Sequence, residues 1–230
     1  MKKLLIMAVL ALLPLLAGAQ NESVRKPAAT PLCPDGNHPH VIDLGLPSGT
    51  KWACCNVGGS KPEDYGSYFA WGETTTKNKY DWEHYRWCNG ASNKLTKYNN
   101  ISSLGTVDNR TQLEIDDDAA RANWHDSWRM PTKAELKELK ENCNYEWTTV
   151  NGVEGGKFTS RSNGRSIFLP AAGYRWDSEL DFAGSLGNYW SSTLYESGPY
   201  NAYVFLFSSG YAYWYYGLSR YYGHSVRPVQ

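Results

Sequence analysis

"PTKAELKELKENCNYEWTTVNGVEGGKFTSRSNGRSIFLP", residues 131–170, carries two structural periods with a sharp boundary between them. Thr132, with Glu135 three residues on, forms a capping box: each side chain takes a backbone N–H that the first turn of a helix leaves without a partner. Leu136, Leu139 and Cys143 fall at i, i+3 and i+7, so one face of that helix is apolar. The texture then changes. Residues 146–150, 156–160 and 166–169 read as strands, separated by Asn151-Gly152 and Asn163-Gly164. Both pairs tolerate the positive φ that a tight hairpin demands. A helix followed by consecutive hairpins is not the alternating pattern of a parallel sheet. It gives an α+β fold, mostly antiparallel strands with helices packed against them.

The same reading extends outward. Residues 51–55 and 68–71 are strand candidates, and 224–229 is a candidate last strand. Asn201 to Phe207, the turn Ser208-Ser209-Gly210, and Tyr211 to Tyr216 make a further hairpin. A second helix is expected in "DDDAARANW", residues 116–124, where Asp116 to Asp118 put negative charge at the N-terminus.

Length and charge bound the rest. The chain has 230 residues and opens "MKKLLIMAVLALLPLLAGAQ". Lys2 and Lys3, an apolar run from Leu4 to Leu16 and the small residues Ala17-Gly18-Ala19 predict a secretory signal peptide over residues 1–19. The run is too short for a stable bilayer span, so no transmembrane segment is expected after cleavage. Pro27, Pro31 and Pro34 mark residues 20–37 as a flexible leader. One domain is then expected over 38–230, in a protein that is periplasmic, cell-surface or secreted. The 23 basic and 23 acidic residues balance, which excludes the dominant basic field of a nucleic-acid binder. Export permits disulfides, but five cysteines, Cys33, Cys54, Cys55, Cys88 and Cys143, cannot all pair within one chain. Their spacings match no zinc motif, and no EF-hand loop occurs. No cofactor or metal is expected, Cys33, His38 and His40 being at most loose ligands on a mobile arm.

"VIDLGLPSGTKWA", "YGSYFAWGET", "DDDAARANW", "SWRMPTKAEL", "SIFLPAAGYR", "NYWSST" and "HSVRPV" together resemble the Fibrobacter succinogenes major paralogous domain family, from Val41 to the end. The "WRMPT-x-x-E" and "SVRPV" segments also resemble the formylglycine-generating-enzyme and C-type-lectin-like superfamily. The resemblance implies a C-type-lectin-like fold. It also places the chain near receptor-binding proteins whose C-terminal residues are diversified by retroelements. There are departures. Asn99 stands where a cysteine partner for Cys88 is expected. No Glu-Pro-Asn, Gln-Pro-Asp or Trp-Asn-Asp calcium-lectin signature is present. Residues 144–230 lack the cysteines that formylglycine generation uses, so that activity has no nucleophile.

Chemistry must then come from other groups. Glu73, Asp116, Asp117, Asp118, Glu179 and Asp181 are the carboxylates from which a glycan hydrolase could be built. Asp117 and Asp118 are more simply helix N-terminal charges. His125 has no serine–aspartate context and reads as structural, and Arg129 and Arg227 read as arginines that pair with buried carboxylates or carbonyls.

The distinctive feature is aromatic. Of 17 tyrosines, 11 lie between Tyr174 and Tyr222, and from Tyr200 to Tyr222 Arg220 is the only charged residue. Strand alternation puts Phe205, Phe207, Ala212 and Trp214 in the core and displays Tyr211, Tyr213 and Tyr215. Tyrosine among Ser, Gly and Asn offers large flat contact area at low entropic cost, and an exposed strip of that kind binds. The candidate ligand-binding residues are Trp176, Glu179, Tyr195, Tyr200, Leu206, Ser208, Tyr211, Tyr213, Tyr215, Tyr216, Tyr221 and Tyr222. The expected partner is a glycan or a cell-surface protein, bound without catalysis. A carboxylate-based hydrolase and an envelope protein self-associating through the same strip are the alternatives.

Overall fold

The computed structural model describes residues 40–125 and 127–230. The expected signal peptide and leader, with Cys33 and His38, lie outside the described residues. The elements in chain order are β1 (Val41–Asp43), β2 (Lys51–Ala53), α1 (Ala119–Trp124), α2 (Lys133–Asn142), β3 (Cys143–Val150), β4 (Val153–Ser160) and β5 (Ser166–Pro170). They continue with β6 (Tyr174–Trp176), β7 (Glu179–Asp181), β8 (Gly187–Leu194), β9 (Asn201–Ser208) and β10 (Tyr211–Ser219). Every strand pair is antiparallel: β1–β2, β3–β4–β5, β6–β7 and β8–β9–β10. The architecture is therefore mainly antiparallel strands with two α-helices.

The capping box forms as the spacing dictates, Thr132 Oγ1 accepting from Glu135 N–H and Glu135 accepting from Thr132 N–H. Leu136, Leu139 and Cys143 are all buried. The helix stops at Asn142, and Cys143 opens β3 instead of closing the helix. Asn151 and Gly152, at φ 49° and 83°, join β3 to β4. Asp118 caps α1 with its own carboxylate.

The β8–β9–β10 sheet is covered on both faces. Phe205, Phe207 and Tyr189 face α2 and the β3–β4–β5 sheet, packing with Phe158, Leu136 and Leu139. Val204, Ala202 and Trp190 face the opposite way, onto Trp71, Phe69, Met130 and Ala120. Gly187 is required here, because a Cβ on it would sit 2.0 Å from the Phe207 ring.

Two expected strands are corrected. Residues 68–71 and 224–229 make only isolated bridges and never run in a ladder. The C-terminal segment changes partner every residue or two: His224 with Phe69, Ser225 with Tyr189, Val229 with both Trp52 and Arg129. No pair of segments lies side by side long enough to count as a sheet. The result is still tightly tied, with Lys51 N–H donating to Gln230 C=O and Ala53 N–H to Pro228 C=O, so the two ends of the described domain lie together. Arg227 sits in this seam, almost fully buried, donating to Ala53 C=O, Cys54 C=O and Asn56 Oδ1.

Candidate functional site: an aromatic edge

β10 is an edge strand, bonded to β9 on one side only. Its pairing slips between Tyr213 and Tyr216: Tyr213 lies opposite Leu206 and Tyr216 opposite Val204, so Trp214 and Tyr215 together face the single residue Phe205. This bulge corrects the simple alternation. Tyr216, expected on the Trp214 side, turns outward beside Tyr215. The two are 44 % and 50 % exposed.

The rings form a ladder. Tyr211 stacks on Tyr213 at 4.9 Å between centroids, and Tyr215 stacks on Tyr216 at 5.6 Å. Tyr213 bridges the two pairs at 5.4 and 5.7 Å. Tyr213 is half-buried by its neighbours and is not displayed as alternation suggested. Leu206 is also half-buried, packed against the core beneath. Ser208 is half-buried at the turn, where its carbonyl accepts from Tyr145 Oη. Phe205, Phe207 and Ala212 are buried as expected, while Trp214 packs on the core at its rim.

The opposite face of the same edge is lined differently. Tyr195 meets Tyr203 edge-on at 4.9 Å and lies over Gly217, where a Cβ would be 2.7 Å from its ring. The Lys133 ammonium stands 3.7 Å from the Tyr203 centroid, and Lys137 stands 5.3 Å from Trp214. These contacts attach β9 and β10 to α2 by cation–π attraction. Tyr203, Lys133 and Lys137 were not singled out from the sequence, because the partners lie some 70 residues apart and no local pattern joins them. Tyr200 is exposed, just before β9.

Tyr221 and Tyr222 do not belong to the ladder. They sit past the end of β10, half-buried, with Tyr221 against Trp82 and Tyr222 against Tyr174. Burial pushes the Tyr221 hydroxyl up. Trp176 and Glu179 are exposed and paired across the β6–β7 hairpin, which is pinned by Arg175 to Gly223 and by Asp177 to Tyr80. Trp176 and Phe182 are 52 % and 59 % exposed. The twelve predicted residues therefore divide into a ladder on β10 with its two flanks and a second aromatic group around Tyr221.

Arg220 is fully buried. Its guanidinium donates to Tyr85 Oη and to the carbonyls of Pro199, Tyr98 and Lys97. The ladder surface thus carries no charge of its own.

Three of the candidate carboxylates, Glu73, Asp117 and Asp118, are engaged in holding the fold. Glu73 pairs with Lys77 at 2.9 Å and accepts from Arg86 N–H. Asp117 pairs with Lys97 at 2.6 Å and accepts from Tyr98 Oη. Asp118 accepts from Ala120, Arg121 and Met130 N–H, and burial raises its pKa despite those bonds. Asp116 is exposed, and Asp181 lies opposite Tyr174 on the hairpin. Glu135 is bidentate with Arg129. Burial alone would raise its pKa, but Arg129, Thr132 N–H and the Thr50 hydroxyl hold it at about 2. His125 ends α1, its N–H donating to Arg121 C=O.

Cys88 donates to the Trp82 carbonyl, and Asn99 is buried, bracing its own loop through Ile101 and Thr106. Burial pushes the Cys143 thiol up to about 11. His40 lies with Cys54 and Cys55, their donor atoms within 4.8 Å of one another. Among the described residues no helix is long and apolar enough to cross a membrane.

Residues 143–229, from β3 through the ladder to the closing seam, match a family described as Domain of unknown function (DUF8237). No curated protein and no solved structure matches the chain.

Proposed function

We propose that the protein is an exported, non-catalytic binding module that presents the β10 tyrosines to a glycan or protein on another cell or particle. The observation that carries this reading is the ladder itself: two stacked tyrosine pairs joined through Tyr213 on an edge strand, with Arg220, the one charged residue between Tyr200 and Tyr222, turned inward. Tyrosine faces stack on sugar rings and flat peptide groups, and rigid phenols lose little entropy on contact. The bonding of Lys51 and Ala53 to the C-terminal segment and the antiparallel sheets with two helices support a C-type-lectin-like fold as the frame. Glu73, Asp117 and Asp118, tied into ion pairs and a helix cap, weigh against a hydrolase built on them. On retroelement diversification, sibling genes would vary at Tyr211, Tyr213, Tyr215 and Tyr216 while the buried positions stay fixed.

The test is binding of the mature chain to a glycan array and to whole cells. The double variant Tyr215→Ser/Tyr216→Ser should lose about tenfold or more in affinity for whatever is bound, as central aromatic contacts do, with an unchanged melting temperature. Retention of full binding by that variant would remove the ladder from the function. A second reading, self-association in an envelope layer through the same rings, is favoured by the exposure of Tyr211, Tyr215 and Tyr216 together on one edge. Concentration-dependent sedimentation that the same variant abolishes would select it.

A further inference from the structure

A recess of about 290 Å³ lies round the corner from the ladder, between α1, the start of α2 and β8. Its apolar wall is Leu113, Ile115 and Met130, and its polar wall includes Gln112, Thr132 and Ser192. Two arginines line it, and they differ. Arg129 is locked in its bidentate pair with Glu135. Arg121 has a buried Nε with no hydrogen-bond partner. A buried donor left without a partner is costly, and native folds rarely tolerate one without a reason. The neighbouring Asp118 does not relieve it, since its oxygens already hold the N–H groups of Ala120, Arg121 and Met130. The hydroxyls of Thr132 and Ser192 and the Gln112 amide are likewise engaged with protein groups. Among the lining residues, Arg121 Nε is the buried side-chain atom left without a partner.

We propose that this recess binds the carboxylate of a small acidic sugar of the uronate kind. A guanidinium fork matches a planar carboxylate bidentately. Asp118 stands on the same wall, so a doubly charged phosphate would meet repulsion that a single charge largely avoids. The body of such a ligand has an apolar C–H face for Leu113 and Ile115 and hydroxyls that can stay hydrated. The volume suits one sugar residue.

The probe is D-glucuronate, titrated into the mature chain while the Arg121 Nε–H resonance is followed by NMR. That signal should shift saturably, and D-glucose, lacking the carboxylate, should leave it still. Arg121→Gln should weaken glucuronate by about tenfold or more, the loss expected of a charge-assisted pair, and Arg121→Lys, which keeps charge without the fork, should weaken it less. Tyr215→Ser/Tyr216→Ser should leave glucuronate binding unchanged, so this site and the ladder fail independently. Three results would overturn the assignment: no saturable shift, equal binding by Arg121→Gln, or inorganic phosphate binding as tightly as glucuronate. Acetate matching glucuronate would overturn the sugar body.

Discussion

β8 and β10 flank the same central strand and are both rich in aromatic residues, yet their tyrosines have opposite fates. In β8, Tyr189 is 1 % exposed, stacks on Phe207, donates to Pro170 C=O and accepts from Asn56. In β10, Tyr215 is 50 % exposed and touches mainly its own neighbours. The residue type is the same; what differs is the far side of the ring. β8 has cores against both faces, so a phenol there must satisfy its hydroxyl internally. β10 has protein on one edge only, and the bulge turns two successive rings outward together.

The strongest way to break this contrast is truncation. Tyr189→Ala should cost about 3–5 kcal/mol of unfolding free energy, as large-to-small changes in a packed aromatic core do. Tyr215→Ala should cost under about 1 kcal/mol. Chemical denaturation measures both, and similar losses would mean that the ladder is core after all.

Acid probes the same sheet from the side. His224 is fully buried against Trp190 at 4.3 Å between rings, and both its ring nitrogens lack partners. Burial lowers its pKa from 6.5 to about 3. The unfolded chain therefore binds a proton that the fold refuses between those values. The stabilisation is complete above pH 6.5 and is lost as pH falls toward 3. Glu135, held at about 2, adds a loss that begins only below its ordinary value of 4.5. Melting followed from pH 7 to pH 5 should show a decline in the native chain that His224→Phe removes. A flat profile in the native chain would contradict the buried neutral imidazole.

The finest comparison removes one oxygen. Tyr189→Phe removes two buried hydrogen bonds while the Pro170 carbonyl keeps Ala172 N–H and the Asn56 amide keeps the Asp64 and Tyr65 carbonyls, and should cost about 0.5–1.5 kcal/mol. Tyr215→Phe should stay within about 0.5 kcal/mol. Any effect of Tyr215→Phe should appear in binding, not in stability.

What could be read ahead of the structure was local chemistry. The Thr132–Glu135 box, the Asn151-Gly152 turn and the apolar stripe of α2 each need only four to eight neighbouring residues. Arg227 and Arg129 were legible as internal anchors, though not their partners. Contacts between distant segments were not legible. Arg220 looked like the one charge of an exposed strip, and only the convergence of Tyr85, Lys97, Tyr98 and Pro199 places it inside. The slip in β10 pairing has no sequence mark among so many tyrosines, so alternation misassigned Tyr216. Tyr221 and Tyr222 share the composition of the ladder but fall in a turn whose partners, Trp82 and Tyr174, come from elsewhere. Arg121 reads as an ordinary solvent-facing helix cation until the walls around it are seen.

The slipped register on β10 also governs what evolution can do with this edge. A bulged strand is a poor template for main-chain addition by another polypeptide, so whatever meets it must recognise rings instead of extending the sheet. Those rings lean on one another and on the rim of the core, outside the pairing that holds the strand in place. Substituting them therefore disturbs the framework little, and under the binding role proposed above the specificity of this edge would be cheap to rewrite.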